Sequence, residues 1–395
     1  MTQTTAPKNF GFGEDEVMLR DMARKMLDDQ LPADRLRTLV AENPEPVYGH
    51  GQRAPWDEDL WAAIVELGWT GLAIGEDERG SDISMVGIAG IIEEAGRHCL
   101  PSPLIPTLSA SLVLRAAGTN AARAILTKIA AGEVMATLAI TNEQGSWEAE
   151  DAPLVATASG YDLILNGTAY FVQDAFKVGL LVASARLGEK LVLCAVETNA
   201  AGVTLEADHI HDLTRDQATV HFKDVTVAAD AIASPNASAA MRTVWPSLLA
   251  LVSADMVGAS EWLLQTTVEY ANQRVQFDRP IGFFQAVKHP LVNVMIEIDR
   301  ARSLLYHACA EIDAGSTRAE VAARMAKSAA SDASNFASDR AIQLHGGIGF
   351  TWEYGLHVYF KRNLHNQVYL GDGVYQRRKL ADILIGPSNT QSGQS

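Results

Sequence analysis

An arginine and a pair of adjacent glycines are the residues of this chain best suited to binding a nucleotide. Arg274 and Phe277 lie in the stretch Asn-Gln-Arg-Val-Gln-Phe-Asp-Arg-Pro, and Gly346-Gly347 follow Gln-Leu-His in a later segment. A guanidinium forms bidentate hydrogen bonds with phosphate oxygens, and residues without a Cβ let the main chain approach a ligand. Phe277 offers a flat apolar wall for an adenine ring. These residue types predict a site for the diphosphate and adenine of a dinucleotide.

Each of these motifs also has a simpler interpretation. Arg274 alone could cap the C-terminus of a helix, and Gly346-Gly347 alone could be a turn. The presence of both motifs in one helical region favours the nucleotide site over two unrelated structural roles.

The elements that must position these residues fall into three regions. Residues 1–134 have the period of helices, with a methionine at every fourth position from Met18 to Met26, which predicts a stripe that packs in the core. Residues 135–234 contain short β-rich runs separated by turn residues, of which Asn166-Gly167 is the clearest, and they predict an antiparallel sandwich or barrel. Residues 235–385 predict a four-helix bundle, and residues 386–395 a disordered polar tail.

Composition limits the class of protein. A chain of 395 residues is too long for one core, and its net charge of −16 argues against binding a nucleic-acid backbone. Local arginines can still bind an anionic ligand. Three cysteines without metal-ligand spacing, and an N-terminus without a signal peptide, favour the cytoplasm. The apolar run from Leu248 to Leu264 carries Asp255 and Glu261, which favours a buried core helix over a membrane span.

The two motifs together resemble the acyl-CoA dehydrogenases, FAD-dependent enzymes that oxidise an acyl-CoA thioester to its α,β-unsaturated form. The resemblance covers nearly the whole chain and implies an α+β fold with an N-terminal helical domain, a middle antiparallel β-domain and a C-terminal four-helix bundle. In the family, the matching residues bind the ADP half of an FAD held by a neighbouring subunit. The positions that this resemblance nominates are Arg274, Gln276, Phe277, Gln285, Gln343, His345, Gly346 and Gly347.

The motifs that hold the flavin ring in the family are only partly present. A Thr-Glu-Pro segment ending in Gly-Ser-Asp corresponds here to Thr141-Asn-Glu-Gln-Gly-Ser146-Trp, without the proline and the final aspartate. A tryptophan against the ring, followed two residues later by a hydroxyl side chain, corresponds to Phe171 and Gln173. The resemblance therefore nominates Thr141, Ser146 and Phe171 as weaker flavin contacts.

Both positions that supply the catalytic base in the family are aliphatic here. Removal of the α-proton needs a carboxylate in a dry site, but Leu370 and Leu248 occupy the two positions. Asp372 could substitute, although its simplest role is the N-cap of the next helix. Asp255 lies further along the same helix as Leu248, and a buried aspartate on an apolar helix is unusual.

These observations leave three hypotheses. The first is a base-lacking subunit of a heterotetramer, which contributes the ADP site to a related chain. The second is a self-sufficient homo-oligomeric enzyme with a non-standard base, and the third is a non-enzymatic binding protein on the same fold. The resemblance implies FAD as cofactor, an acyl-CoA substrate of the fatty-acid or steroid side-chain type, and electron-transfer flavoprotein as acceptor.

Overall fold

Two helical regions enclose a β-region in the order that the sequence predicts. The computed structural model describes residues 10–41, 57–148 and 151–386. The predicted tail beyond residue 386 and the segment 1–9, on which the signal-peptide prediction depends, lie outside these ranges. The N-terminal helices are α1 (Glu14–Gln30), α2 (Ala33–Ala41), α3 (Glu58–Glu66), α4 (Met85–Arg97), α5 (Leu104–Ala117) and α6 (Asn120–Ala130).

The predicted core packing of the methionine stripe is wrong for Met18 and Met22, and only Met26 packs against the core. Met18 and Met22 are 56% and 54% exposed, whereas Ala23 and Leu27 are buried. Both pairs have the four-residue spacing of one helix face. The periodicity alone therefore could not show which of the two faces meets α4.

The strands form one sheet, in which the neighbours are β6-β7-β3-β2-β4-β5-β8 and β1 pairs with β4. Most pairs are antiparallel as predicted, but β4 pairs in parallel with both β1 and β2. The strands are β1 (Ala136–Ala139), β2 (Leu154–Ser159), β3 (Asp162–Gln173), β4 (Leu180–Leu187), β5 (Lys190–Glu197), β6 (Val203–Ala207), β7 (Gln217–Val227) and β8 (Ile232–Ser234).

Asn166-Gly167 is a bulge inside β3 rather than a turn. The register between β3 and β7 shifts between Leu165 and Gly167, and the Asn166 side chain bonds Asp224 on the partner strand. A bulge uses the same residue types as a turn, because one strand must accommodate an extra residue. The predicted turn was therefore wrong at this position.

The C-terminal helices confirm the predicted bundle. They are α7 (Ser238–Gln273), α8 (Gln285–Asp313), α9 (Ala319–His345), α10 (Leu356–Val368) and α11 (Gly373–Ile385), and the short strands β9 (Val275–Gln276) and β10 (Arg279–Pro280) join α7 to α8. By length and composition α7 could cross a membrane, but 83% of its apolar window is buried inside the protein. This burial is what the sequence predicts of a core helix.

The N-terminal helices and the bundle share one hydrophobic core. Helix α4 crosses α7 closely, because a Cβ on Gly258 would lie 1.8 Å from the Glu93 carbonyl oxygen. Asp313, at the end of α8, accepts hydrogen bonds from the first two amides of α4 at 2.7 and 3.2 Å. The strands have a second core of their own. The predicted domain limits at residues 134 and 234 stay a prediction, although every strand of the large sheet lies between 136 and 234.

Candidate nucleotide and flavin site

Arg274 lies at one end of the helical bundle, which we call the tip. It follows the last residue of α7, and its side chain is exposed and has no hydrogen-bond or ion-pair partner in the described ranges. The next residues form a tight hairpin, in which Phe277 and Asp278 have left-handed backbone angles with φ of 54° and 60°. Phe277 is 82% exposed at its turn. An exposed cation next to an exposed ring is a surface that can receive a nucleotide.

The glycine pair lies next to this tip. Helix α9 ends at His345, whose ring stacks on Tyr270 of α7 with a centroid distance of 4.3 Å and an interplanar angle of 18°. Tyr270 is one helical turn before Arg274, and His345 immediately precedes Gly346. The stack therefore brings the two sequence motifs to the same end of the bundle.

The two glycines leave open space for a ligand. Gly346 has a φ of +63°, which only glycine adopts freely, and a Cβ on either Gly346 or Gly347 would contact nothing within 4 Å. Gln276, Gln285 and Gln343 are exposed around this tip, and the Gln276 amide donates to the Val275 carbonyl at 2.9 Å.

His345 is a buried residue immediately before the glycine turn. Burial lowers the pKa of its imidazole, although a hydrogen bond from Nδ1 to the Ala341 carbonyl at 2.8 Å opposes the shift. The ring is therefore neutral, and its buried Nε2 has no partner in the described part of the chain. Its geometry is that of a residue that supports the turn through Tyr270.

The weaker flavin motifs come together in the β-region. The Tyr170 amide donates to the Thr141 carbonyl at 2.9 Å, and a Cβ on Gly145 would lie 3.8 Å from the Phe171 ring. Phe171 sits at a second bulge of β3 with φ of 57° and is 38% exposed. Ser146 bonds Asp151 at 2.7 Å through its hydroxyl. An aromatic wall is thus present beside the loop that begins at Thr141.

The glutamine that follows this wall is already bonded at both ends. The Gln173 amide nitrogen donates to Gln217 at 2.8 Å, and its oxygen lies 2.7 Å from His365 Nε2 on α10. Burial lowers the pKa of His365 to about 4, so the imidazole is neutral and donates to this oxygen. The bond joins β3 to α10 at a position that the resemblance assigns to the flavin-ring motif.

Trp147, in the loop after β1, packs against the C-terminal helical region. Its indole packs edge-on against Tyr369 and Tyr375 with centroid distances of 6.5 and 6.4 Å. The next residue, Glu148, accepts hydrogen bonds from the Tyr375 hydroxyl and from Lys379, the latter at 2.7 Å. The loop after β1 is therefore fixed onto α11 and onto the segment that contains Leu370.

Leu370 is held in a backbone conformation that leucine rarely adopts. Its φ is +56° and its side chain is buried, as is that of Leu248. The buried Lys327 ammonium donates to the carbonyls of Gln367 and Gly371 at 3.0 and 2.9 Å, and burial lowers the pKa of Lys327 to about 7. The loop is thus rigidly positioned, but it presents an aliphatic group where the family has a carboxylate.

Neither substitute acid is free to act as a base. The Asp372 carboxylate accepts the Tyr375 amide at 2.7 Å as the N-cap of α11, which confirms its simpler interpretation. Asp255 is fully buried and forms a bidentate ion pair with Arg362 at 2.7 and 2.9 Å. Arg215 lies at 3.3 Å. Burial raises the pKa of Asp255, but the two arginines outweigh it and hold the pKa below its usual value.

The residues around Asp255 could not be found from the sequence. Arg362, Arg215 and Asn366 come from α10 and from the segment before β7, and all three side chains bond the Asp255 carboxylate. The one available signal was Asp255 itself, because a buried aspartate requires a cationic partner.

Asp216 is a second buried acid, and it gives a prediction of how stability depends on pH. Burial and the neighbouring Asp174 raise the pKa of Asp216 to about 6. The folded protein therefore binds a proton that the unfolded chain has released, and this contribution to stability is lost as the pH rises from about 4 to 6. We expect Asp216→Asn to stabilise the protein at pH 7.5 by at least about 1 kcal/mol. Urea denaturation at pH 7.5 and at pH 4 measures the difference, which should vanish at the lower pH.

Asp174→Asn is the matched control for this prediction. Asp174 accepts from Lys177 at 2.7 Å and lies 3.5 Å from Arg215, so its loss removes one carboxylate neighbour from each of these two buried cations. It should destabilise the protein at pH 7.5. A destabilised Asp216→Asn at that pH would contradict the role assigned to Asp216.

Comparison with known proteins assigns the family. Residues 13–133 match the family model of the acyl-CoA dehydrogenase N-terminal domain, and residues 250–385 match that of the C-terminal domain. The chain is 31% identical over 337 residues to the acyl-CoA dehydrogenase IpdE2 of Mycobacterium tuberculosis, which spans 84% of this chain and 90% of the relative. The chain belongs to the acyl-CoA dehydrogenase family, whose members are FAD-dependent oxidoreductases.

Solved structures show the same fold over nearly the whole chain. A variant of the Tcur3481-Tcur3483 steroid acyl-CoA dehydrogenase has a TM-score of 0.83 at 28% identity, covering 95% of this chain and 98% of the other. The ChsE4-ChsE5 complex of Mycobacterium tuberculosis has a TM-score of 0.85 at 21% identity, covering 98% and 100%.

Proposed function

We propose that this chain is a base-lacking subunit of an FAD-dependent acyl-CoA dehydrogenase, which binds the ADP half of an FAD whose ring lies in a related chain. The observation that carries the proposal is the contrast between two ends of one site. The tip with Arg274 and Gly347 is exposed, whereas the Gln173 side chain is hydrogen-bonded to His365 and leucines stand at both family positions of the base, Leu248 and Leu370.

The open tip has the groups that an ADP moiety needs. The Arg274 guanidinium would bind the diphosphate, the main chain at Gly347 would approach it closely, and Phe277 would stack on the adenine. These groups face outward, so the rest of the dinucleotide must lie in another subunit. FAD, when bound, supplies the hydride acceptor of the dehydrogenation.

The end of the site around Leu370 and Leu248 lacks the base that proton removal requires. A base must reach the α-carbon of the acyl group, but Leu370 and Leu248 have no proton-accepting atom, and Asp255 and Asp372 are committed to structural bonds. The base is therefore proposed to belong to the partner chain.

The names of two similar structures support an assembly of two different chains. The Tcur3481-Tcur3483 enzyme and the ChsE4-ChsE5 complex each carry two chain names, and the first is described as a steroid enzyme. We extend this to a heterotetramer that acts on a bulky, steroid-derived acyl-CoA in the cytoplasm and passes electrons to an electron-transfer flavoprotein.

Expression of the chain alone and with a related chain encoded beside it tests the proposal. We expect no turnover of an acyl-CoA by the isolated chain. The co-expressed pair should turn over and contain one FAD for every two chains, because this chain is proposed to supply an ADP site without a flavin-ring site. Flavin absorbance and acyl-CoA oxidation measure both quantities. Full flavin loading and normal turnover of the isolated chain would refute the subunit role.

Leu370→Glu in the isolated chain tests whether the base is all that this chain lacks. The substitution restores a carboxylate at the family position but leaves the Gln173–His365 bond intact. We expect no turnover from this variant. Turnover would show that only the base was missing, and it would favour the self-sufficient alternative.

A further inference from the structure

Two stacked rings connect the halves of the proposed nucleotide site. Tyr270 lies in the last turn of α7, and its carbonyl accepts the Arg274 amide at 2.8 Å. His345 is the last residue of α9 and directly precedes Gly346. The two rings lie 4.3 Å apart between centroids, at an interplanar angle of 18°. The position of the glycine turn relative to Arg274 therefore depends on this stack.

Further contacts keep the His345 side chain in this stack. The Tyr354 ring packs edge-on against the imidazole at 5.5 Å and against the Tyr270 ring at 5.9 Å. A Cβ on Gly349 would lie 3.3 Å from the Cβ of His345, so the turn that follows α9 packs against the same side chain. His345 is only 4% exposed. The imidazole is thus enclosed between the end of α7 and the glycine turn.

The hydrogen bonds of His345 suit a neutral ring. Nδ1 lies 2.8 Å from the Ala341 carbonyl, which can only accept, so Nδ1 carries the proton of the neutral imidazole. Nε2 is buried and has no hydrogen-bond partner within the described residues. A second proton would place a charge, and a donor without an acceptor, in this buried position, and both are unfavourable. Burial accordingly lowers the pKa of His345.

In the described part of the chain, no charged side chain bonds the ring and compensates for a second proton. The titratable groups that pack against it are the phenols of Tyr270 on α7 and of Tyr354 beyond the glycine turn. On α9 itself, Asp339 and Arg340 pair with each other at 3.2 Å. The C-terminal end of α9 and the face of Tyr270 favour a cation. The pKa of His345 is nevertheless lowered, so burial outweighs both.

We propose that the Tyr270–His345 stack positions the glycine turn for the ADP moiety only while His345 is neutral, so that acidification weakens FAD binding at this site. A proton on Nε2 moves the imidazole out of its buried position toward water, and Gly346 moves with it because the two residues are adjacent. The turn then no longer lies beside Arg274. Tyr270 and His345 act through the turn and are therefore positioning residues. The inference rests on the proposed function and extends it to the regulation of the nucleotide site.

The dissociation constant of FAD for the co-purified pair, measured at about pH 8 and about pH 5, tests the proposal. We expect acidification to weaken FAD binding through this stack about threefold to tenfold, which is the strength of one aromatic contact. His345→Phe keeps a flat ring that takes up no proton. It should bind FAD as tightly as the wild-type pair at the higher pH and lose this part of the pH dependence. His345→Ala removes the ring and should bind FAD weakly at both pH values.

Two control variants separate the stack from other titrating groups. Tyr270→Phe retains a stacking ring and should match the wild-type pair at both pH values. His221→Gln removes a partly exposed histidine of β7, which contacts Thr168 in the β-sheet, and should keep the wild-type pH dependence. The proposal is overturned if His345→Phe keeps the full acid dependence of the wild-type pair, or if His345→Ala binds FAD as tightly as the wild-type pair.

Backbone amide spectra of the isolated full-length chain report on the stack without flavin. The amide resonances of Gly346 and Gly347 should shift together with the titration of the His345 imidazole, at a pH below its ordinary pKa of about 6.5. They should stay in place over the same range in His345→Phe. Glycine resonances that do not follow this titration in the wild-type chain would also overturn the proposal. Failure of the wild-type pair to bind FAD at the higher pH refutes the subunit role instead, and the glycine resonances then decide on the stack.

Discussion

Asp255→Asn is expected to destabilise the protein by about 3–5 kcal/mol, the largest effect that the structure predicts for a single polar substitution. The carboxylate is fully buried between Arg362 and Arg215. Asparagine would remove the carboxylate that pairs with Arg362 and one of the carboxylates beside Arg215, so the desolvation of these buried guanidiniums would be less fully compensated. Chemical denaturation of the isolated chain measures the loss, and partial unfolding during purification would be an extreme form of the same result.

The control is an ion pair of similar length on the surface. Asp332 lies 2.7 Å from Arg377, but both side chains are about half exposed. Asp332→Asn should cost no more than about 1 kcal/mol, because solvent screens an exposed pair. If Asp255→Asn were as mild as this control and abolished turnover instead, Asp255 would be the catalytic base after all.

Arg274→Met is expected to weaken FAD binding by the assembled enzyme about 100-fold while leaving the fold intact. The guanidinium is exposed and has no partner in the described ranges, so its removal takes no contact from the chain itself. A hydrogen bond to a charged group contributes about 1.5–3 kcal/mol, and a bidentate contact with the diphosphate has two of them. Flavin retention and the dissociation constant of FAD, measured on the co-purified pair, test this.

Arg279 provides the matched control for the tip. It lies in the same hairpin, but its guanidinium stacks over the Phe283 ring at 4.3 Å. Arg279→Met should therefore reduce FAD binding much less than Arg274→Met. Gly347→Ala is a second probe, because a Cβ there meets nothing in the chain and can only obstruct a ligand. Unchanged FAD binding in both Arg274→Met and Gly347→Ala would remove the nucleotide site from this tip.

The sequence by itself determined the order of the elements and singled out the residues of the proposed nucleotide site. Helical periodicity and turn residues are local properties, so the bundle helices from α7 to α11 could be predicted almost to their ends. Arg274 and the glycine pair could also be predicted, because a diphosphate requires few chemical types and both motifs contain them. The leucines at positions 370 and 248 likewise indicated a missing base, because the resemblance to the family identifies these as the base positions.

Only the tertiary structure decided which side chains are free and which are committed. The periodicity of α1 placed Met18 and Met22 on one face but could not show that this face meets solvent. In the sequence, Asp255 is a candidate substitute for the base. In the structure it pairs with Arg362, which comes more than a hundred residues later in the chain. Ion pairing and burial depend on contacts between distant segments, and a single sequence does not contain the distances that set them.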